Sequence, residues 1–244
     1  MRKALLAFFA IVPALLCPVA WAQGNGSAGQ GSVVSGEIQL LQGKSGEPAK
    51  DASNAVVWLA PLNPLELAAP NASGKTYRMV QQQKQFHPHL LVVPLGSVVV
   101  FPNLDPWFHN VFSLYRGKRF DLGLYEAGSQ KGVRFDRPGA SYIFCNIHPE
   151  MMAVVLTVDT PFFAVSDKSG HWSISGVPPG RYQLHVWYEN AAPAALQALD
   201  RVVAVEDGGA VLASLAIPVA PHPWLDHANL YGLKYDPKSM APAY

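Results

Sequence analysis

Apolar residues fall along this chain in short runs separated by turn residues, with no sustained helical stripe. Residues 33–41 have strand character, with Gly36 marking a bulge, and residues 55–59 form a second, wholly apolar run. Pro61, Pro64 and Pro70 make residues 61–75 a connection. Further on, residues 90–93 and 98–101 flank a Gly96-Ser97 turn and predict a strand pair, with weaker strands over 110–114 and 133–135. Residues 141–144 lead into Cys145, and residues 153–158 lead away from its loop. Beyond Asp159 come a turn at Asp167-Lys168-Ser169-Gly170, a strand over 171–175 and a turn at Val177-Pro178-Pro179-Gly180. Over residues 181–188, Tyr182, Leu184, Val186 and Tyr188 share one face. Residues 201–205 and 211–219 around Asp207-Gly208-Gly209 predict a hairpin, and the tail from Ala220 has no clear period. Strands recurring about every ten residues predict an all-β protein of the sandwich or barrel type.

Composition agrees with this pattern. Charged residues are 14 % and hydrophobic residues 50 % of the chain, with 20 Gly and 21 Pro. That balance suits a turn-rich β protein. The net charge of +1, with no basic block, excludes a nucleic-acid surface. Residues 1–22 read as an export signal: Arg2 and Lys3, an apolar run from Ala4 to Leu16, then Ala20-Trp21-Ala22. The run is too short for a spanning helix, and Leu16 stands before Cys17 where a lipoprotein site has a small residue. Residues 23–32 form a Gly/Ser-rich flexible leader. Cleavage after Ala22 would leave a periplasmic protein with Cys145 as its single cysteine. A lone thiol in an oxidising compartment is either a small buried hydrophobe or a metal ligand.

Its neighbours favour the ligand. Cys145-Asn146-Ile147-His148-Pro149-Glu150-Met151 packs a thiolate, an imidazole and a thioether into one loop between two strands. His109 lies upstream in Asp105-Pro106-Trp107-Phe108-His109-Asn110-Val111. Two His, one Cys and a weak Met are the ligand set of blue-copper sites. Zinc is the rival metal, with Cys145, His109, His148 and the nearby Glu150. A catalytic Cys145–His109 pair lacks an oxyanion motif or a third orienting group. The remaining histidines (His87, His89, His171, His185, His222 and His227) are scattered.

These residues resemble the cupredoxins, specifically the amicyanin-like and plastocyanin-like members, over residues 76–159. His109-Asn110-Val111 is similar to their His-Asn-Val ligand segment, and Cys145, His148, Pro149 and Met151 are similar to their short ligand loop. Phe86-x-Pro88 and Val92-x3-Gly96-Ser97-x-Val99-x-Phe101-x-Asn103 look like the family's opening strands. The resemblance implies a Greek-key β-sandwich holding one type-1 copper ion. It makes His109, Cys145 and His148 the strong ligands and Met151 the weak axial one, although spacing alone leaves Met152 open. Asn110 would lie just outside the ligands, its backbone N–H on the sulfur and its side chain pinning the ligand loop.

A second resemblance covers Ser166-Asp167-x2-Gly170-x-Trp172-x-Ile174-x2-Val177-Pro178-Pro179-Gly180-x-Tyr182-x-Leu184, which is similar to carboxypeptidase regulatory-like (transthyretin-like) domains. Such β-sandwiches open with strands of the kind found in residues 33–75. The expected order is therefore an interrupted sandwich: residues 33–75 and 160–219 form it, residues 76–159 are inserted, and 220–244 is a tail. Pairing of residues 56–59 with strands beyond Ser166 would support insertion. Trp172, Tyr182, Trp187 and Tyr188 are expected as core. The function implied is a periplasmic one-electron carrier, not an enzyme, docking weakly and transiently on a redox donor and acceptor, without nucleic acid or a membrane span. A periplasmic copper chaperone or reservoir is the alternative, and a binding scaffold with a structural metal is a third.

Overall fold

The computed structural model describes residues 31–43, 46–63, 75–114, 117–220 and 230–232. The expected export signal, most of the leader, much of the 61–75 connection, most of the tail, His222 and His227 lie outside these residues. β1 (Ser32–Gln42), β2 (Glu47–Pro48) and β3 (Val56–Pro61) come first. A middle group follows: β4 (Thr76–Arg78), β5 (Val80–Gln82), β6 (Gln85–His87), β7 (Leu90–Pro94), β8 (Val98–Pro102), β9 (His109–Ser113), β10 (Phe120–Tyr125), β11 (Gln130–Arg134), β12 (Gly139–Phe144) and β13 (Met152–Val158). Last come β14 (Phe163–Val165), β15 (His171–Val177), β16 (Gly180–Trp187), α1 (Pro193–Gln197), β17 (Arg201–Val205), β18 (Ala210–Val211) and β19 (Leu215–Pro218). The protein is all-β, with one short helix among the described residues.

The middle group forms a sandwich. One sheet has the order β10-β9-β12-β13-β7 and the other β11-β8-β4. Val93, Val99, Phe101, Val111, Phe135, Ile143 and Val155 are sealed from water between them. β7 and β8 do not pair with each other, contrary to the expectation from their turn. β7 runs parallel to β13, whereas β8 runs antiparallel to β11. Gly96, at φ 87°, turns the chain from one sheet to the other, and the Ser97 hydroxyl donates to the Pro94 carbonyl at 2.6 Å. Two consecutive apolar runs thus bury more surface by facing each other across a core than by lying side by side.

The flanking strands form the second sandwich. β3 pairs with β14 (Val57↔Ala164) and with β16 (Leu59↔Leu184), so strands before and after the middle group share one sheet. Long β1 lies in the other sheet, antiparallel to β15 and parallel to β18 and β19. Ile38, Leu40, Leu59, Trp172, Ile174, Tyr182 and Leu184 fill the space between. The period-two face of β16 buries Tyr182, Leu184 and Val186. Trp172 and Tyr182 are core as expected, and Trp187 and Tyr188 pack against that core half-buried.

Two local expectations change, and the expected Gly170 turn forms. The irregularity in β1 falls between Ser32 and Val34, and Gly36 pairs regularly with Trp172. Gly36 is required because a Cβ there would lie 2.6 Å from the Trp172 ring. The Gly170 turn docks on β1, where a Cβ would meet the Ile38 carbonyl oxygen at 2.0 Å. The expected 201–219 hairpin does not form: β17 pairs with β16, while β18 and β19 cross to β1 in the opposite sheet. Tertiary burial overrides the local turn signal there.

The sandwiches meet along an apolar seam of Val56, Val92, Leu156 and Val158, packed by Trp58, Leu90 and Trp187. Beside it, half-exposed His89 contacts Glu189 at 2.7 Å. No helix among the described residues is long and apolar enough to cross a membrane. The Glu189 hydrogen bond raises the His89 pKa above its ordinary value of 6.5, against an opposing effect of burial. A raised folded-state pKa makes this contribution full below the unfolded value and lost as pH climbs through the folded one. The unfolding free energy of metal-free wild type should therefore exceed that of Glu189→Gln most near pH ~6, by on the order of 0.5 kcal/mol, with the gap closing by about pH 9. A gap that widens with pH would contradict a charged His89.

Candidate metal centre

Strand ends bring the chemistry together. His109 opens β9, whose five residues are all buried, and Cys145 follows the last residue of β12. Phe144 pairs with Phe112 on β9 and with Met152 on β13, which fixes where the loop leaves and re-enters the sheet. Within the loop, the Cys145 N–H donates to the Met151 carbonyl at 3.2 Å and the Met151 N–H to the His148 carbonyl at 3.1 Å. These bonds close a tight turn with Cys145 and Met151 at its neck and His148 at its crest.

The three donor atoms converge. Cys145 Sγ lies 3.9 Å from His109 Nδ1 and 3.7 Å from His148 Nδ1, and all three atoms are within 4.8 Å of one another. An ion bonded to sulfur at about 2.3 Å and to imidazole at about 2.05 Å, with angles of about 110–120°, holds its S and N ligands roughly 3.6–3.8 Å apart. The 3.7 Å separation falls within that spacing and the 3.9 Å separation just above it, and the donor set suits a borderline or soft metal. Cys145 and His109 are sealed from water, and His148 is 8 % exposed. Met151 is also fully buried, in the same cluster as Cys145, whereas Met152 packs with Phe112, Phe144 and Val154 in a different cluster. Glu150 is exposed and lies outside the group, so the residues offered to zinc lose their carboxylate.

Electrostatics point the same way. Burial pushes the Cys145 thiol up, and the backbone N–H groups of Asn110, Ile147 and His148 oppose that shift. Burial also pushes both imidazoles down, and at His148 the charge of His109 adds to it. Two neutral rings therefore present lone pairs, and amide donors stand ready for an anionic sulfur. Such a thiolate is stable in a dry site only when a cation compensates it.

Asp105 is the residue that sequence reasoning missed. It is 4 % exposed, and its Oδ2 lies 2.8 Å from His109 Nε2. The carboxylate also accepts the N–H groups of Gln83 at 2.6 Å and Lys84 at 2.8 Å. Burial would raise its pKa, but the Lys84 amide, the His109 ring and the Gln83 amide outweigh burial and hold it low. An ionised carboxylate only accepts, so His109 carries its proton on Nε2 and turns a bare Nδ1 toward sulfur. The same two amides hold Gln83 and Lys84 at φ 55° and 56°, unusual for non-glycine residues, in the turn between β5 and β6. The available signal was an acid four positions before a candidate ligand; its use depends on a loop geometry that spacing does not reveal.

Asn110 departs from expectation in part. Its backbone N–H acts on the sulfur, but its side-chain amide donates to Asp121 Oδ1 at 2.8 Å and so ties β9 to β10, not to the ligand loop. The other described histidines stand apart from the centre: His87 is exposed, His89 pairs with Glu189, His171 lies 4.0 Å from Asp167, and His185 lies 3.0 Å from Asp200.

No protein-family model matches the chain, and no curated protein matches it either. Among solved structures it is similar to a Cu-containing nitrite reductase from Thermus scotoductus SA-01, at 21 % identity and a TM-score of 0.33. That match covers 34 % of this chain and only 22 % of the reductase. A purple cupredoxin from Nitrosopumilus maritimus is 21 % identical, covering 34 % of this chain and 99 % of its own, with a TM-score of 0.31. A Cu(I) amicyanin variant is 16 % identical over 42 % of this chain and 98 % of its own, with a TM-score of 0.32.

Removing the carboxylate tests its role. Asp105→Leu leaves a buried N–H without an acceptor and should destabilise the metal-free protein by about 1–3 kcal/mol. Affinity for Zn(II) in chelator competition should fall roughly 10–100-fold, with a smaller loss in Asp105→Asn, which keeps an acceptor. Wild-type affinity in the Leu variant would show that His109 needs no anchor.

Proposed function

We propose that this protein is a type-1 (blue) copper protein that carries single electrons between redox partners. The approach of one sulfur to two imidazole Nδ1 atoms, at 3.9 and 3.7 Å in an almost wholly buried pocket, carries this reading. His109, Cys145 and His148 would hold the ion, with Met151 as a weaker fourth donor; Met151 shares the cluster of Cys145, and Met152 does not. Copper would supply a one-electron couple between Cu(II) and Cu(I). Everything else is the work of the chain. The packed sandwich and the Asp105 anchor keep the rings in place, so changes of charge meet little rearrangement. With Met151 as a fourth donor the set would be closed, without the open position that catalytic metal sites keep, which favours a carrier over an enzyme.

His148 is the ligand nearest solvent and would serve as the exit for the electron. Leu104 and Phe108, 55 % and 50 % exposed, flank the His109 segment and supply apolar surface for a small, weak interface of the redox type. The pairing of β3 with β14 and β16 supports reading residues 76–159 as an insertion within a transthyretin-like sandwich. The export-signal pattern of residues 1–22 supports a periplasmic location.

Adding Cu(II) to the metal-free protein should give an intense visible thiolate-to-copper band, absent in Cys145→Ser. Met151→Leu should keep the band and raise the reduction potential, while Met152→Leu should leave the potential at its wild-type value. A colourless wild-type product would remove the reading, and a shifted potential in Met152→Leu would move the axial role.

A further inference from the structure

The segment 230–232, beyond the last strand of the second sandwich, returns to the ligand loop of the first. The Leu230 N–H donates to Asn146 Oδ1 at 2.9 Å, across 84 positions of sequence. Its side chain packs on the Phe112, Tyr142, Phe144 and Val154 cluster, against which Met152 from the first sandwich and Trp187 from the second also pack. Asn146 directly follows Cys145, and its backbone lies in the turn that sets the distance from Sγ to His148 Nδ1. The side chain expected to pin this loop, that of Asn110, is engaged with Asp121 on β10.

The geometry points to Leu230 as a positioning residue that straps the ligand loop from outside. The inference rests on reading that loop as a metal-ligand loop. A polar tie and an apolar anchor act together: the amide bond sets where Asn146 sits, and the leucine on the aromatic cluster keeps the donor in place. Neither residue belongs to the donor group, and the effect reaches it through the backbone between Asn146 and His148. The strap gives the second sandwich a hold on the metal-binding end of the first, in addition to the apolar seam.

Amide hydrogen exchange on the metal-free full chain tests this without any metal present. The Cys145 and Met151 amides, which close the loop, are the reporters, and amides in the middle of β12 and β13 are the internal reference. Because the donor is a backbone N–H, Leu230→Pro removes it, while Asn146→Ala removes the acceptor. Both should speed exchange of the reporters roughly fivefold and leave the reference unchanged. Asn146→Asp keeps an acceptor and should restore slow exchange. With copper bound, Asn146→Ala should alter the relative intensities of the thiolate bands while exchange of the reference amides stays unchanged, and Asn146→Asp should reverse the change. Wild-type exchange in both Leu230→Pro and Asn146→Ala would overturn the strap. A wild-type protein without a thiolate band would remove the copper reading alone and leave the exchange result standing.

Discussion

A sulfur atom and two imidazole nitrogens held within 4.8 Å of one another, and almost wholly out of water, constrain everything around them. Burial alone keeps the thiol protonated and the rings neutral. The amides of Asn110, Ile147 and His148 nevertheless act on the sulfur, and Asp105 holds the far side of His109. A pocket arranged for a negative sulfur yet short of positive charge is complementary to a cation. Its preorganisation has a cost, since every buried polar atom needs a partner. Asp105 meets part of that cost by serving three donors at once.

The sandwich supplies rigidity for this arrangement. His109 begins a strand whose residues are all buried, and Cys145 leaves a strand paired on both sides. Displacing either residue would disturb a core that includes Phe101, Val111 and Ile143. His148 and Met151 sit on the loop itself and depend on shorter ties. These ties include the loop's two backbone bonds and the Leu230–Asn146 contact. The two sandwiches are therefore more than neighbours: an apolar seam, the His89–Glu189 pair and the returning C-terminal segment connect them.

Much of the fold was legible where burial follows an alternating period. β16 showed its inward face as Tyr182, Leu184 and Val186, and β1, β9, β12 and β13 fell close to their expected spans. Strand partners were less legible. β7 and β8 looked like a hairpin because a glycine turn separates them, and β17 and β18 looked like another. In both cases the chain changes sheets at the turn, since the two apolar runs gain more from opposite sides of a core than from adjacent places in one layer. β10 passed unnoticed because it alternates weakly and its Leu124 faces solvent.

The order of residues by itself determined which side chains could meet: a loop with Cys145, His148 and Met151 between two strands, and His109 at the start of another. Side-chain chemistry and spacing are local properties, and the chain carries them openly. Only the tertiary structure decided that Met151 turns inward and Met152 outward, that Asp105 reaches Nε2 of His109, that Asn110 bonds to Asp121, and that Leu230 returns to Asn146. Those outcomes depend on packing between segments far apart in sequence, where the alternation of a strand, the path of a turn and competition for each buried hydrogen bond are settled together.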